Sequence, residues 1–229
     1  MSAFEEYLRD KRVVLVGPAG SLIGKGYGRA IDQYDVVVRI KKPMPRRAAL
    51  NRDYGARTDV LYVTLEKCMW EPFDAAAGGV WDGLGVRWVI LARKKLRRKT
   101  AIMNAGVRDW ANFRQIPRKF YNHVQNLCGN TLPLAGVITI ADLARMPHKQ
   151  LHLVGFTFYL TKDPGHYDGF QPPDVAATWS QDEVRRWHAT RSCRNSSHYV
   201  PPQLNLIRRI VATDQRITVD PVLEGVLSA

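Results

Sequence analysis

The chain has 229 residues, 45% of them hydrophobic and 10% aromatic, which is enough to bury a full core within one domain. Thirty-four Lys and Arg against 21 Asp and Glu leave a net charge of +13, which excludes an acidic, polyanion-avoiding surface. No stretch approaches the roughly 18 apolar residues that span a bilayer, and the charged start "MSAFEEYLRDKR" lacks the apolar core of a signal peptide. In chain order, residues 4–10 predict a short leading helix. The apolar, β-branched run "RVVLVG" (12–17) predicts a buried strand closed by glycine. "GPAGSLIGKGYG" (17–28) holds five glycines directly after that strand, a composition that brings main-chain N–H groups close to a phosphate. "GRAIDQY" (28–34) predicts a short helix and "DVVVRI" (35–40) a second strand. Residues 41–58, punctuated by two prolines and a glycine, read as a loop.

"DVLYVTL" (59–65) and "VRWVILAR" (86–93) continue as strands three and four. "WANFRQI" (110–116) and "FYNHVQNL" (120–127) carry amphipathic spacing and predict helices, and "LAGVITIADLAR" (134–145) predicts a strongly apolar helix after Pro133. "QLHLVGF" (150–156) is another buried strand. "SQDEVRRWHAT" (180–190) opens on a Ser with acidic residues in its first turn, a capped helix. "PQLNLIRRIVAT" (202–213) predicts a helix with an apolar stripe, and "RITV" (216–219) a late short strand. Strands alternating with helices imply an α/β fold: a single-domain, three-layer sandwich over residues 1–229 around a mainly parallel twisted sheet. In such folds ligands sit at the carboxyl ends of the strands.

Two charged segments stand out. "RKKLRRK" (93–99) carries six cations and "KKPMPRR" (41–47) carries four. Such runs can simply solvate a surface, or they can meet a polyanion: nucleic acid, an acidic glycan or an anionic lipid. The three cysteines, Cys68, Cys128 and Cys193, are widely spaced and indicate neither a disulfide framework nor a zinc site. With the charged N-terminus, they lead to the expectation of a soluble, cytoplasmic protein. No metal site is expected.

Three phosphate-handling designs compete for the glycine loop. A P-loop needs G-x-x-x-x-G-K-[ST], but Ala19 stands at the first glycine and Gly26 at the hydroxyl position, so the magnesium ligand is missing. A dinucleotide fingerprint needs G-x-G-x-x-G, and Gly24, Gly26 and Gly28 are one residue out of register. The third design uses more of the chain. Gly17, Gly20, Leu22, Gly24, Gly26, Tyr27, Gly28, Ile31, Asp32, Asp35, Val38 and Arg39, followed by Asp53, Gly55, Arg57 and Thr58, fall in register with the large sialylmotif. Pro133, Gly136, Gly155 and Phe156 follow the outline of the small motif. His166-Tyr167-Asp168 stands where the third motif is expected, and His198, ahead of an amphipathic helix, where the fourth is. On these residues the chain resembles the eukaryotic-type sialyltransferases, glycosyltransferase family 29, as a divergent, soluble, minimal member.

The resemblance implies a Rossmann-like variant of the GT-A fold. It also implies a metal-independent, inverting transfer of a sugar from a nucleotide-sugar co-substrate, normally CMP-sialic acid, to an acceptor hydroxyl. No other cofactor is implied. By resemblance His198 is the base and His166 the group that hydrogen-bonds the departing phosphate. Gly17, Pro18, Ala19, Gly20, Lys41, Gly136 and Tyr167 line the nucleotide side. The remaining histidines, His123, His148, His152 and His188, match no motif. Several motif positions differ from the family pattern. Pro18 and Ala19 replace an Asn and a Ser, Lys41 replaces an Asn, Leu134-Ala135 replace Ser-Thr, and Gln203 replaces a Glu. Proline offers no donor, so the donor loop is less polar and other nucleotide-sugars stay open. The acceptor is a glycan, a lipid or nucleic acid, including modified bases of DNA. A non-catalytic nucleic-acid-binding protein on the same fold is the alternative.

Overall fold

The computed structural model describes residues 1–41, 48–64, 85–92, 112–158, 160 and 199–229. Its strands are β1 (Arg12–Val16), β2 (Val36–Ile40), β3 (Val60–Val63), β4 (Trp88–Leu91), β5 (Asn112–Gln115), β6 (Gln150–Val154) and β7 (Ile217–Val219). They form one sheet in the order β5-β4-β3-β2-β1-β6-β7, and every neighbouring pair is parallel. The helices are α1 (Ala3–Leu8), α2 (Gly28–Asp32), α3 (Asn51–Tyr54), α4 (Arg118–Leu127), α5 (Ala135–Ala144), α6 (Pro201–Thr213) and α7 (Pro221–Ser228).

Because side chains alternate along a strand, each apolar run feeds two cores. Val13 and Leu15 of β1 join Val38, Tyr62, Ile90 and Leu153 on one face, under residues of α1, α4, α5, α6 and α7. Val14 and Val16 join Val37 and Val154 on the other face, under Ile31 of α2 and Tyr54 of α3. Covering both faces explains why the strands read as continuous hydrophobic runs rather than as alternation. The expected three-layer α/β sandwich is what forms.

A buried carboxylate is built into this core. Asp142 of α5 is fully buried, and it accepts two hydrogen bonds from the Arg114 guanidinium of β5, others from Arg145, and one from the Tyr62 hydroxyl of β3. Arg114 also lies over the Phe4 ring of α1, at 5.1 Å. A single carboxylate thus joins α5, the edge strand β5 and β3. Burial, followed by the nearby carboxylate, pushes the Tyr62 hydroxyl well above the usual tyrosine range.

Three local expectations change. Residues 112–115 of the segment read as helical form β5, in register with β4. Asn112 N–H donates to the Arg87 carbonyl and Ile116 N–H to that of Leu91, so an open sheet edge outcompetes a weak helical pattern. The loop assigned to 41–58 contains a helical turn (Ala48–Leu50) and α3, which ends on Gly55 at φ 77°. Helix α7 was not expected, although Asp220 accepts from Leu223 N–H and Pro221 opens the helix, a recognisable cap and first-turn signature. The predicted helix 180–190 and the basic segments 42–47 and 93–99 lie outside the described residues.

Candidate functional site

Strand order reverses at β1. The chain moves from β1 outward through β2 to β5, then returns to place β6 on the other flank of β1. The loops leaving β1 and β6 therefore diverge, and the crevice outside their carboxyl ends is where parallel α/β sheets take ligands. The described residues among those singled out by sequence lie at this edge.

The first two are joined directly. Gly17 N–H donates to the Val154 carbonyl (2.8 Å) and Ala19 N–H to that of Gly155 (3.0 Å), continuing the β1–β6 pairing past the strands. A Cβ on Gly17 would stand 2.3 Å from the Gly155 carbonyl oxygen, so only glycine lets these backbones meet. Gly155 answers with φ 72°. Phe156 follows, and its ring would lie 3.0 Å from a Cβ built on either Gly17 or Gly136. The glycine loop and the start of α5 thus both pack against one aromatic ring.

The rest of the glycine loop is held from below. Ile23 N–H donates to Gly20 and Lys25 N–H to Leu22. Gly24 and Gly26, at φ 77° and 69°, donate their N–H groups to the two oxygens of Asp53, at 2.9 and 2.8 Å. Those two bonds hold the Asp53 carboxyl below its ordinary value. The Tyr54 hydroxyl donates to the Ala19 carbonyl (2.6 Å). Gly28 packs so closely that a Cβ there would lie 2.0 Å from the Asn51 carbonyl oxygen.

The other motif residues bind the two halves of this region together. Asp32 accepts from Ala56 and Arg57 N–H. Buried Arg39 donates to the carbonyls of Tyr54, Gly55 and Arg57. Most of the motif is therefore scaffold, and its close approaches are to this chain's own backbone.

Strain is concentrated on the same edge. The non-glycine residues with positive φ among those described are Asp10, Lys41, Asn130 and Phe158. Asp and Asn tolerate this region; Lys and Phe do so rarely. Lys41 (φ 66°) directly follows β2, where its N–H donates to the Tyr62 carbonyl (2.7 Å). Phe158 (φ 50°) lies just beyond β6. Backbone conformations of this kind cluster at ligand sites.

Helix α5 opens beside Phe156 with no side-chain cap of its own from Leu134. Instead Leu134 N–H donates to Gln203 Oε1 (2.7 Å), and Gln203 Nε2 donates to the Tyr199 carbonyl (2.9 Å). Gln203 is fully buried. Its amide bridges a donor and an acceptor at once, which a carboxylate cannot do. It fixes the residue that follows His198 to the start of α5. On the far side, Asp220 Oδ2 accepts from Gly155 N–H (2.7 Å) while Oδ1 accepts from Leu223 N–H (2.8 Å). The C-terminal helix is thereby tied to the glycine contact.

Of the sequence-selected residues, Gly17, Pro18, Ala19, Gly20, Lys41 and Gly136 gather at this edge. His166, Tyr167 and His198 lie outside the described residues. Sequence reading named Asp53 only as a motif position, without a role, and did not single out Tyr54 or Asp220. Asp53 carried a signal, a carboxylate placed to meet glycine amides, but its partner was not legible. Among the described residues no group of three His, Cys, Asp or Glu could hold a metal ion, and no helix is long and apolar enough to cross a membrane.

A parallel, doubly wound sheet with a glycine-lined switch point and strained flanking backbone defines an α/β fold of the kind that takes ligands at this edge. The chain belongs to glycosyltransferase family 29 (sialyltransferase), whose profile matches residues 5–120. It is 30% identical over 81 residues to the CMP-N-acetylneuraminate-beta-1,4-galactoside alpha-2,3-sialyltransferases of Homo sapiens and Pan troglodytes. That match covers 35% of this chain and 21% of theirs, so it spans about a fifth of the relatives' length.

Several solved sialyltransferase structures share the fold. A mammalian sialyltransferase in complex with Gal-beta-1-3GalNAc-ortho-nitrophenol superposes with a TM-score of 0.52 at 14% identity, over 94% of this chain and 71% of that one. A sialyltransferase from Campylobacter jejuni in complex with a substrate analogue, CMP-3FNeuAc, gives 0.53 at 12% identity, over 91% and 81%.

Proposed function

We propose that the protein is a glycosyltransferase that moves sialic acid from CMP to an acceptor hydroxyl by metal-independent, inverting displacement. The acceptor oxygen forms a bond to the anomeric carbon as the bond from that carbon to the CMP phosphate oxygen breaks. His198 takes the acceptor proton, and CMP leaves with the bonding electrons, hydrogen-bonded by His166. A neutral imidazole suits the first task near pH 7, and a donor to the leaving phosphate suits the second.

The observation that carries this reading is the meeting of Gly17 and Gly136 on Phe156 at the switch point of a family 29 sheet. The N-terminus of α5 there favours an anion, and Lys41 adds a point charge at the end of β2. Pro18, Ala19 and Gly20 directly follow β1, and the family resemblance assigns Tyr167 to nucleotide binding. The net charge of +13 favours an anionic glycan acceptor.

The test is calorimetric titration with CMP, UDP, GDP and ADP at moderate salt, followed by a transfer assay with CMP-sialic acid. Selective CMP binding, with turnover lost in His198→Ala while binding is kept, is the expected result. Selective binding of another nucleotide would replace the donor. Unchanged turnover in His198→Ala would remove the assigned base.

A further inference from the structure

We infer that the exposed arch 23–27, between β1 and α2, docks the protein on the surface of an anionic lipid bilayer. Ile23 and Tyr27 enter the interface, and Lys25, Arg29 and Arg52 meet the headgroups. The inference goes beyond the transfer reaction and uses neither its donor nor its acceptor. Its first observation is apolar surface gathered at one place. Among the described residues the exposed large hydrophobic side chains are Met1, Ile23, Tyr27 and Leu127. Met1 is the first residue and Leu127 lies on α4, whereas Ile23 (53% exposed) and Tyr27 (37%) share one short arch. Scattered exposed hydrophobic residues are ordinary; clustering is what marks a surface that meets something apolar.

The arch projects these side chains and does not fold them back. Gly24 and Gly26, at φ 77° and 69°, turn their N–H groups inward to the two oxygens of Asp53. The backbone is thereby tied down from inside, and residues 23–27 are exposed throughout. The same bonds occupy both oxygens of Asp53, which is itself buried. Cations flank the arch. Lys25 is at its centre, and Arg29 of α2 and Arg52 of α3 are exposed on helices that touch where Gly28 meets the carbonyls of Asn51 and Arg52. No Asp or Glu occurs between residues 11 and 31. The next two carboxylates are committed elsewhere. Asp32 accepts from Ala56 and Arg57 N–H, and Asp35 pairs with Arg12 (3.2 Å) at the opposite edge of the sheet.

This combination of groups selects the partner. A nucleic-acid backbone is met by cations and polar groups and would leave Ile23 in water. A stable protein interface needs about 800 Å² from each partner, more than so short an arch presents. A bilayer interface takes an aliphatic and an aromatic side chain at headgroup depth, while Lys and Arg keep their charges at the level of the phosphates. Each cation near an anionic surface strengthens binding roughly fivefold. Three cations with one inserted isoleucine give reversible, salt-sensitive attachment, not permanent anchoring. Because the arch follows the carboxyl end of β1, docking turns the ligand edge of the sheet toward the lipid.

The experiment measures co-sedimentation of the full chain with phosphatidylcholine vesicles, with and without phosphatidylserine, at low and at raised salt. The whole chain is cationic, at +13, so each arch variant is paired with a matched variant on α4. Ile23→Ser is set against Leu127→Ser, and Lys25→Glu against Lys119→Glu; all four positions are exposed, and melting temperatures stay at the parent value. The expected result is phosphatidylserine-dependent binding that weakens with salt. Ile23→Ser and Lys25→Glu each weaken it about tenfold or more, and the α4 variants by about twofold or less. Equal losses from Lys25→Glu and Lys119→Glu, or no loss from Ile23→Ser, reduce the attraction to net charge and overturn the inference. Salt-sensitive binding of a DNA duplex without binding of phosphatidylserine vesicles overturns it in favour of a nucleic-acid surface. Binding of neither overturns it outright. The CMP titration above succeeds or fails independently of each of these results.

Discussion

Replacing Gly17 by Ala tests the central contact of the site. The added Cβ would stand 2.3 Å from the Gly155 carbonyl oxygen, 2.9 Å from its carbon and 3.0 Å from Cδ1 of the Phe156 ring. The first two are backbone atoms at the end of β6, so no side-chain rotation relieves them. One strand end must retreat by roughly an ångström, given that non-bonded heavy atoms sit about 3.5 Å apart or slightly less. That retreat disrupts the Gly17-to-Val154 and Ala19-to-Gly155 hydrogen bonds, each contributing about 1 kcal/mol. Overpacking adds about 1–3 kcal/mol. The sum, about 3–5 kcal/mol, is a large part of the roughly 5–15 kcal/mol by which domains are stable. In a chain of this size it lowers the melting temperature by on the order of 10 °C.

Gly24→Ala is the matched control. It has φ 77° but nothing within 4 Å of an added Cβ, so it carries only the left-handed backbone penalty of about 1–2 kcal/mol. Calorimetric melting of the two variants beside the parent gives the answer. If Gly17→Ala melts no lower than Gly24→Ala, the two loops do not meet as described and the close-approach argument fails.

Three further outcomes are expected. Asp142→Asn strips the buried carboxylate from Arg114 and Arg145 and costs about 3–5 kcal/mol, against about 1 kcal/mol for Tyr62→Phe, which loses one hydrogen bond; urea denaturation giving equal losses would show that the ion cluster does not hold β5. His148 is buried, and that burial, followed by the Arg216 guanidinium, lowers its pKa from the usual 6.5 against the pull of Asp214. The unfolded chain therefore binds this proton first: the contribution to stability is intact above pH 6.5 and lost as pH falls from there toward the lowered native value. His148→Leu should flatten the melting-temperature profile just below that pH, and parallel profiles would refute the assignment. Lys41→Asn relieves a left-handed lysine and should raise stability by up to about 1 kcal/mol, while CMP binding weakens through loss of the ammonium; weaker stability in thermal melts would show that the side chain holds the turn rather than straining it.

Much of the fold was legible because its sheet is buried on both faces. "VVLV", "VLYV" and "WVIL" are apolar whichever way each residue points, as is "VVVRI" apart from Arg39, and such runs declare themselves without knowledge of neighbours. Edge strand β5 did not. Its residues are half-exposed or exposed, and its hydrogen bonds come from β4. Nothing local in "NFRQ" distinguishes an amphipathic strand from a helix turn. Helix α7 was legible in principle, since Asp220-Pro221 is a helix start, but its short apolar sequence offers little periodicity.

The sequence by itself determined the class of protein and the order of its motifs, because glycine, aspartate and proline at set spacings answer local conformational demands. It also marked the positions where polar groups are absent, Pro18 and Ala19. What each glycine is for was decided only by tertiary structure. Gly17 answers to Gly155 across the β1–β6 junction, Gly24 and Gly26 answer to the Asp53 carboxylate, and Gly136 answers to the Phe156 ring. A glycine announces that something must come close or that φ must be positive, but its partner lies on another element. The identity of that partner exists only once the sheet has assembled.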